Sequence, residues 1–223
     1  MEKNKKEKIG KNILQYYVPM VRYIADIIGP HCEVVLHDVQ TPGTSIIAIR
    51  NGYVSGRTIG GPLTNLGLKL IESSPSFQEE SLVNYASKTS EGENLVSSTY
   101  FIRDDAGKLV GMLCVNILKS GVAASLPQIN NVDINRQETL NSGVHDVNEW
   151  LRPSSDQVVS QAVQDLVEER EATVDRLTFQ EKKEIIYLLK KNGIFKIKGA
   201  VNQVSELLNV AGSTIYRYLS QTK

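Results

Sequence analysis

GAVNQVSELLNVAGSTIYRYLSQ, residues 199–221, carries the densest pattern in the chain. Val201, Val204, Leu207 and Leu208 recur at the spacing that gives one short helix a buried face. Asn209 stands where a tight turn needs a left-handed residue, which Gly and Asn tolerate best. Val210 plugs the space between two helices. Ser213-Thr214 opens the next helix, with Ile215, Tyr218, Leu219 and Thr222 on its inner side. Two short helices joined by such a turn predict a helix-turn-helix. At about 100° per residue, Ser213, Thr214, Arg217, Ser220 and Gln221 then point outward, with Tyr216 on the flank. A short polar face with a central arginine is suited to the major groove of double-stranded DNA, where Arg reads guanine and Gln reads adenine. Lys196 and Lys198, just ahead of the first helix, suit phosphate.

Upstream, Thr178-Phe179-Gln180-Glu181 reads as a capping box that opens a helix over EKKEIIYLLKKN, and Asn192-Gly193 closes it. The charge distribution fits a nucleic-acid module. The whole chain is neutral, with 25 basic and 25 acidic side chains in 223 residues. From Leu177 to Lys223, however, eight basic against three acidic residues leave +5, so residues 1–176 carry −5. A basic module on an acidic body meets phosphate at one end only.

The pattern changes over the rest of the chain. Apolar residues over 9–28 repeat at helical spacing, and Pro19 kinks that helix or splits it in two. Strand-like runs follow at 33–39 and 45–50, a helical piece at 63–73, and three more strands at 82–88, 95–104 and 108–118, the last two joined by the turn DDAG. Residues 119–145 are polar and irregular. A helix is expected from Ser154 to Arg176, with Val159, Ala162, Val163, Leu166 and Val167 on one stripe. That stripe pairs with a copy of itself or packs on its own sensor domain.

Two strands, a helical excursion and three strands resemble a PAS sensor domain. The expected fold is α+β: a PAS-like domain with a five-stranded antiparallel sheet at 1–120, a linker and connecting or dimerisation helix at 121–176, and an all-α helix-turn-helix domain at 177–223. Within the sensor, several polar residues are candidates for a small-molecule pocket. His37 and Asp38 end the first strand. Asn51, Ser55 and Arg57 follow the second, and Arg57 is suited to clamp a carboxylate. Ser98 represents the polar run Ser97-Ser98-Thr99 on a central strand, and Asn116 lies late in the last. The alternative is that these groups satisfy one another.

Other chemistries find little support. GRTIGGP (56–62) lacks the Lys-Ser/Thr of a phosphate-binding loop, there is no nucleophile elbow, and Asp104-Asp105 lies in a turn, where Asp is common. An enzyme is therefore not expected. His31, Cys32 and His37 do not form a zinc pattern, and Cys32 and Cys114 belong to no CxxC pair, so neither a metal nor another cofactor is expected. No apolar run reaches bilayer length and no signal sequence opens the chain, which predicts a cytoplasmic protein without membrane contact.

The segments HCEVVLHDV (31–39), SIIAIRNGYVSGRTIGGPLT (45–64), NYASKTSEGENLVSSTYFIRDDAGKLVGMLCVNI (84–117) and GAVNQVSELLNVAGSTIYRYL (199–219) resemble, in that order, the YheO-like PAS transcriptional regulators, a family that includes the D-arginine-utilisation repressors. The resemblance implies a ligand-sensing PAS-like domain and a DNA-binding output domain. The expected partners are double-stranded DNA, an unidentified small-molecule effector and a second copy of the chain. A protein-interaction adaptor that does not bind DNA is the other reading, and it predicts no salt-dependent affinity for duplexes.

Overall fold

The computed structural model describes residues 13–73, 78–121 and 149–221. Pro19 splits the first helix, as one of the two expected outcomes: a short helical piece at 13–15 and a turn at 16–17 are followed by helix α1, Val18–Ile28, with the proline in its first turn. There its missing N–H costs nothing, because no helical acceptor precedes it. The sheet strands are β1 (Cys32–Asp38), β2 (Ile46–Arg50), β3 (Ser81–Thr89), β4 (Asn94–Arg103) and β5 (Leu109–Leu118), with helix α2 (Asn65–Ser73) between β2 and β3. The pairing order is β2-β1-β5-β4-β3, antiparallel throughout.

A sixth strand, β6 (Glu149–Leu151), corrects the expected five. It runs parallel to β3 at the sheet edge, with Ser87 opposite Glu149 and Thr89 opposite Leu151. Three residues are too few to show a period of two, so nothing in the sequence marks it. The sheet is covered on both faces. Leu14, Val21 and Ala25 pack on Val34, Leu36, Ile102, Val110 and Leu113 from one side. On the other, Val35, Met112 and Phe101 share a core with α2 and with four C-terminal helices.

Those helices are α3 (Ser155–Glu168), α4 (Phe179–Lys191), α5 (Ala200–Leu208) and α6 (Gly212–Gln221). Helix α3 stops eight residues short of the expected Arg176. Glu171 turns left-handed at φ 50°, and a 3-10 turn occupies Val174–Arg176. The apolar stripe of α3 (Val158, Val159, Val163, Leu166 and Val167) is buried within the chain's own core and packs on α5. A second copy would have to use another surface.

The helical region is keyed to the sheet region at three points. Ser155 Oγ donates to the Gly43 carbonyl at 2.9 Å. Lys196 Nζ lies 3.3 Å from a carboxylate oxygen of Glu72. Gly193, left-handed at φ 73°, abuts α2 so closely that a Cβ would stand 2.9 Å from the Leu68 carbonyl oxygen. Glycine satisfies the turn and the contact together.

Candidate functional site

The helix-turn-helix is assembled by local rules. Thr178 and Glu181 form the expected capping box on α4, each side chain bonding the other's backbone N–H. Asn209 ends α5 at φ 49° and ψ 56°, and Ser205 Oγ donates to the Val210 carbonyl at 2.6 Å, fixing the turn. The Ala211 carbonyl accepts from the N–H groups of Thr214 and Ile215, so α6 begins one residue before the expected serine. Val204, Leu208, Ile215 and Tyr218 are buried between the helices. The Tyr218 ring meets Phe179 edge-on, with centroids 5.7 Å apart, and carries Lys183 and Arg217 near its faces at 5.6 and 5.5 Å.

This packing leaves Ser213, Tyr216, Arg217 and Ser220 exposed on α6, and Thr214 half-buried beside them. Lys198 is exposed at the start of α5, whereas Lys196 is engaged by Glu72. The side chain of Gln221, and Thr222, lie outside the described residues.

The sensor interior holds a connected array of buried polar side chains. Its centre is Glu33, an acidic residue just ahead of the apolar run Val34-Val35-Leu36 on β1, fully buried. Glu33 Oε1 accepts from Arg57 Nη2 at 2.5 Å and from Asn116 Nδ2 at 2.9 Å, while Oε2 accepts from Ser55 Oγ. Arg57 Nε donates to Ser55 Oγ at 3.0 Å, and Ser97 Oγ donates to Asn116 Oδ1 at 2.8 Å. Burial opposes the charge on Arg57, but the adjoining Glu33 carboxylate outweighs it and raises the pKa.

A second carboxylate lies in the same interior. Glu149, on β6, accepts from Thr64 Oγ1 at 2.6 Å through Oε1. Its Oε2 is buried and accepts no hydrogen bond of standard geometry among the described residues. Burial raises the Glu149 pKa, against the favourable effects of Thr64, Arg57 and Tyr85. Nearby, the Tyr85 hydroxyl bonds Thr99 at 2.8 Å, and burial pushes the Cys114 thiol up to about 12, which keeps it protonated and inert.

Ser55, Arg57 and Asn116, three of the expected pocket residues, therefore meet around Glu33, and the others do not join them. His37 is buried near Arg57 but bonds elsewhere, with Nδ1 2.8 Å from Ser45 Oγ. Asp38 accepts the Gln40 N–H at 2.9 Å, an Asx turn. Asn51 adopts φ 57° and donates to the Gly29 and Cys32 carbonyls at 3.2 and 2.7 Å, which holds a turn. Ser98 has the opposite parity to that expected. Ser97 and Thr99 face the interior, while Ser98 accepts the Asn84 N–H at 3.1 Å. The bulge between Leu82 and Tyr85 brings that N–H to it. Glu33 was legible as a charge beside an apolar run. Glu149 had no such signal.

His37 predicts a pH dependence of stability. Burial, then the nearby Arg57 charge, depress its pKa well below the ordinary histidine value. The unfolded chain therefore takes up a proton that the folded chain refuses, and stability is lost as pH falls below about 6.5. Glu149 acts with the opposite sign, because a raised carboxyl pKa loses stability as pH rises through the carboxylate range. His37→Gln isolates the first effect. Between pH 7.5 and 5.5, urea denaturation of the wild type should show an extra loss of up to about 1.4 kcal/mol per pH unit relative to the variant. Parallel pH profiles would show that His37 does not titrate on unfolding.

Among the described residues, no cluster of His, Cys, Asp and Glu has the arrangement of a metal site, and no helix is long and apolar enough to cross a membrane.

Comparison with known proteins covers both regions. A family model described as a YheO-like PAS domain matches residues 7–128, and a model of an HTH domain matches residues 158–220. The chain is 30% identical over 216 residues to the uncharacterized protein YheO of Escherichia coli (strain K12), spanning 95% of this chain and 85% of that protein. It is 31% identical over 212 residues to an uncharacterized protein of Haemophilus influenzae, spanning 95% and 91%. It is 27% identical over 224 residues to the transcriptional regulator DauR of Pseudomonas aeruginosa, spanning 94% of each.

Proposed function

The chain belongs to the family of proteins with a YheO-like PAS domain, here joined to an HTH domain, and from that premise we propose that it is a transcriptional regulator that reads DNA as a homodimer under control of a small molecule. The observation that carries the reading is the outer face of α6. A helix fixed by a buried core presents Ser213, Tyr216, Arg217 and Ser220 to solvent in the basic part of the chain. That is the geometry of a recognition helix, in which a few side chains reach base edges while flanking cations hold phosphate. The name of DauR as a transcriptional regulator supports the same reading.

The interior polar array supports the sensor half. A small molecule that donates a hydrogen bond to Glu149 Oε2 would act at a mechanical junction. Glu149 lies on β6, and only Arg152, Pro153 and Ser154 separate that strand from α3. Its partner Thr64 caps the start of α2, accepting the Gly67 N–H at 3.1 Å, and α2 in turn touches Gly193 and Lys196. Two of the connections to the C-terminal helices, through β6 to α3 and through α2 to Gly193 and Lys196, thus begin at this carboxylate.

The test is selection of genomic fragments by the purified protein at two salt concentrations. A defined, two-fold related site should be enriched, with affinity falling steeply as salt rises. Lys198→Ala should weaken specific and random duplexes alike and flatten the salt slope by about one unit. The reading fails if no duplex is bound at either salt concentration, with or without cell extract as a source of effector.

A further inference from the structure

Four large side chains line up on the outside of the N-terminal helix. Met20, Tyr23 and Ile27 of α1, with Tyr16 just ahead of it, are 39, 62, 65 and 74% exposed. Their spacing of four, three and four residues is that of the seam between paired helices. At about 100° per residue Met20, Tyr23 and Ile27 fall within roughly 60° of arc, on the side opposite Val21 and Ala25, which face the sheet. Single exposed apolar residues need no explanation, but a contiguous row on one helix face marks a surface that is normally covered.

The flanks point to what covers it. Pro19, Arg22 and Asp26 line a shallow hollow with Tyr23 and Ile27. Asp26 is paired with Arg22 and with Arg50, each at 3.2 Å, so its charge is matched within the chain. The row itself contains no charge, and the same seam on a second copy meets it without repulsion.

We infer that this face of α1 is the interface for a second copy of the chain, seam against seam about a two-fold axis. With aromatic side chains at roughly 150–250 Å² each, the row offers on the order of 500 Å² per copy. A pair then buries about 1,000 Å², the lower limit for a specific interface. Pro19 and the stem of Arg22 extend it. The α3 stripe, by contrast, is filled from within the chain.

The inference names the interface of the dimer proposed above, and it rests on that reading only for the purpose of the dimer. Its test is run without DNA, so a failure to bind DNA leaves it standing. Light scattering of the full chain should give a mass twice the 24.7 kDa of one copy. Tyr23→Glu and Ile27→Glu should each yield single copies that keep the wild-type circular-dichroism spectrum and melt cooperatively at a temperature independent of protein concentration. The milder Tyr23→Ser should raise the dimer dissociation constant by at least about tenfold. Tyr187→Glu, at an exposed tyrosine on α4, should leave the dimer intact. A wild type of single-copy mass, a dimer that survives all three α1 variants, or equal dissociation by Tyr187→Glu would each overturn the inference.

Discussion

Glu33→Ala should be the most damaging single substitution in the sensor. Glu33 is the counter-charge of Arg57, whose side chain is 1% exposed, and it is also the acceptor for Ser55 and Asn116. Removing the carboxylate leaves a guanidinium that can neither reach water nor lose its proton. Breaking a buried pair in this way costs about 3–5 kcal/mol, far more than the net worth of the pair, because an uncompensated charge remains. For a chain of this length each kcal/mol moves the melting temperature by roughly 2–4 °C, so a fall of roughly 6–20 °C is expected. Replacing both partners with methionine should recover much of the loss, since apolar side chains of similar volume remove the desolvation penalty as well as the attraction. A single variant that melts within about 1 °C of the wild type would mean that solvent reaches Arg57 and that the array is not a closed interior.

Arg217→Ala should have the largest effect on DNA binding. The side chain is exposed on α6 and its guanidinium lies 5.5 Å from the Tyr218 ring centre, so truncation removes little from the core. An arginine that bonds a guanine edge in bidentate fashion contributes about 1–3 kcal/mol of discrimination. Affinity for a selected site should therefore fall by roughly 5- to 150-fold, while random duplex loses much less and the thermal melt is unchanged. Equal losses on the selected site and on random DNA would remove Arg217 from base reading and leave it as a phosphate contact.

The two predictions differ in how far the sequence led to them. Residues 199–221 encode their structure locally. Apolar spacing, a left-handed asparagine and a polar outer face lie close together in the sequence, so periodicity and turn chemistry reach the outer face of α6 unaided. The order of β1 to β5 and the position of α2 were legible for the same reason, since each strand is five to ten residues long and bounded by turn residues. The resemblance across both regions, later matched by the family models, added the architecture that joins them.

Tertiary structure decided the rest. Strand β6 exists because β3 offers an edge, not because three residues prefer a strand, and it carries Glu149 into the interior. The bulge in β3 makes Ser98 an acceptor for backbone, while Ser97 and Thr99 face inward. The stripe on α3 reads the same whether it meets a copy or its own chain, and only packing on α5 resolved it. That Lys196, expected to meet phosphate, also has Glu72 of α2 3.3 Å away was decided by the packing of α2. The sequence by itself determined β1 to β5, the main helices and the outer face of α6, because those depend on neighbours within a few residues. Which polar groups share the interior was set by contacts such as that between Glu33 and Asn116, 83 residues apart, and separations of that kind leave no period to read.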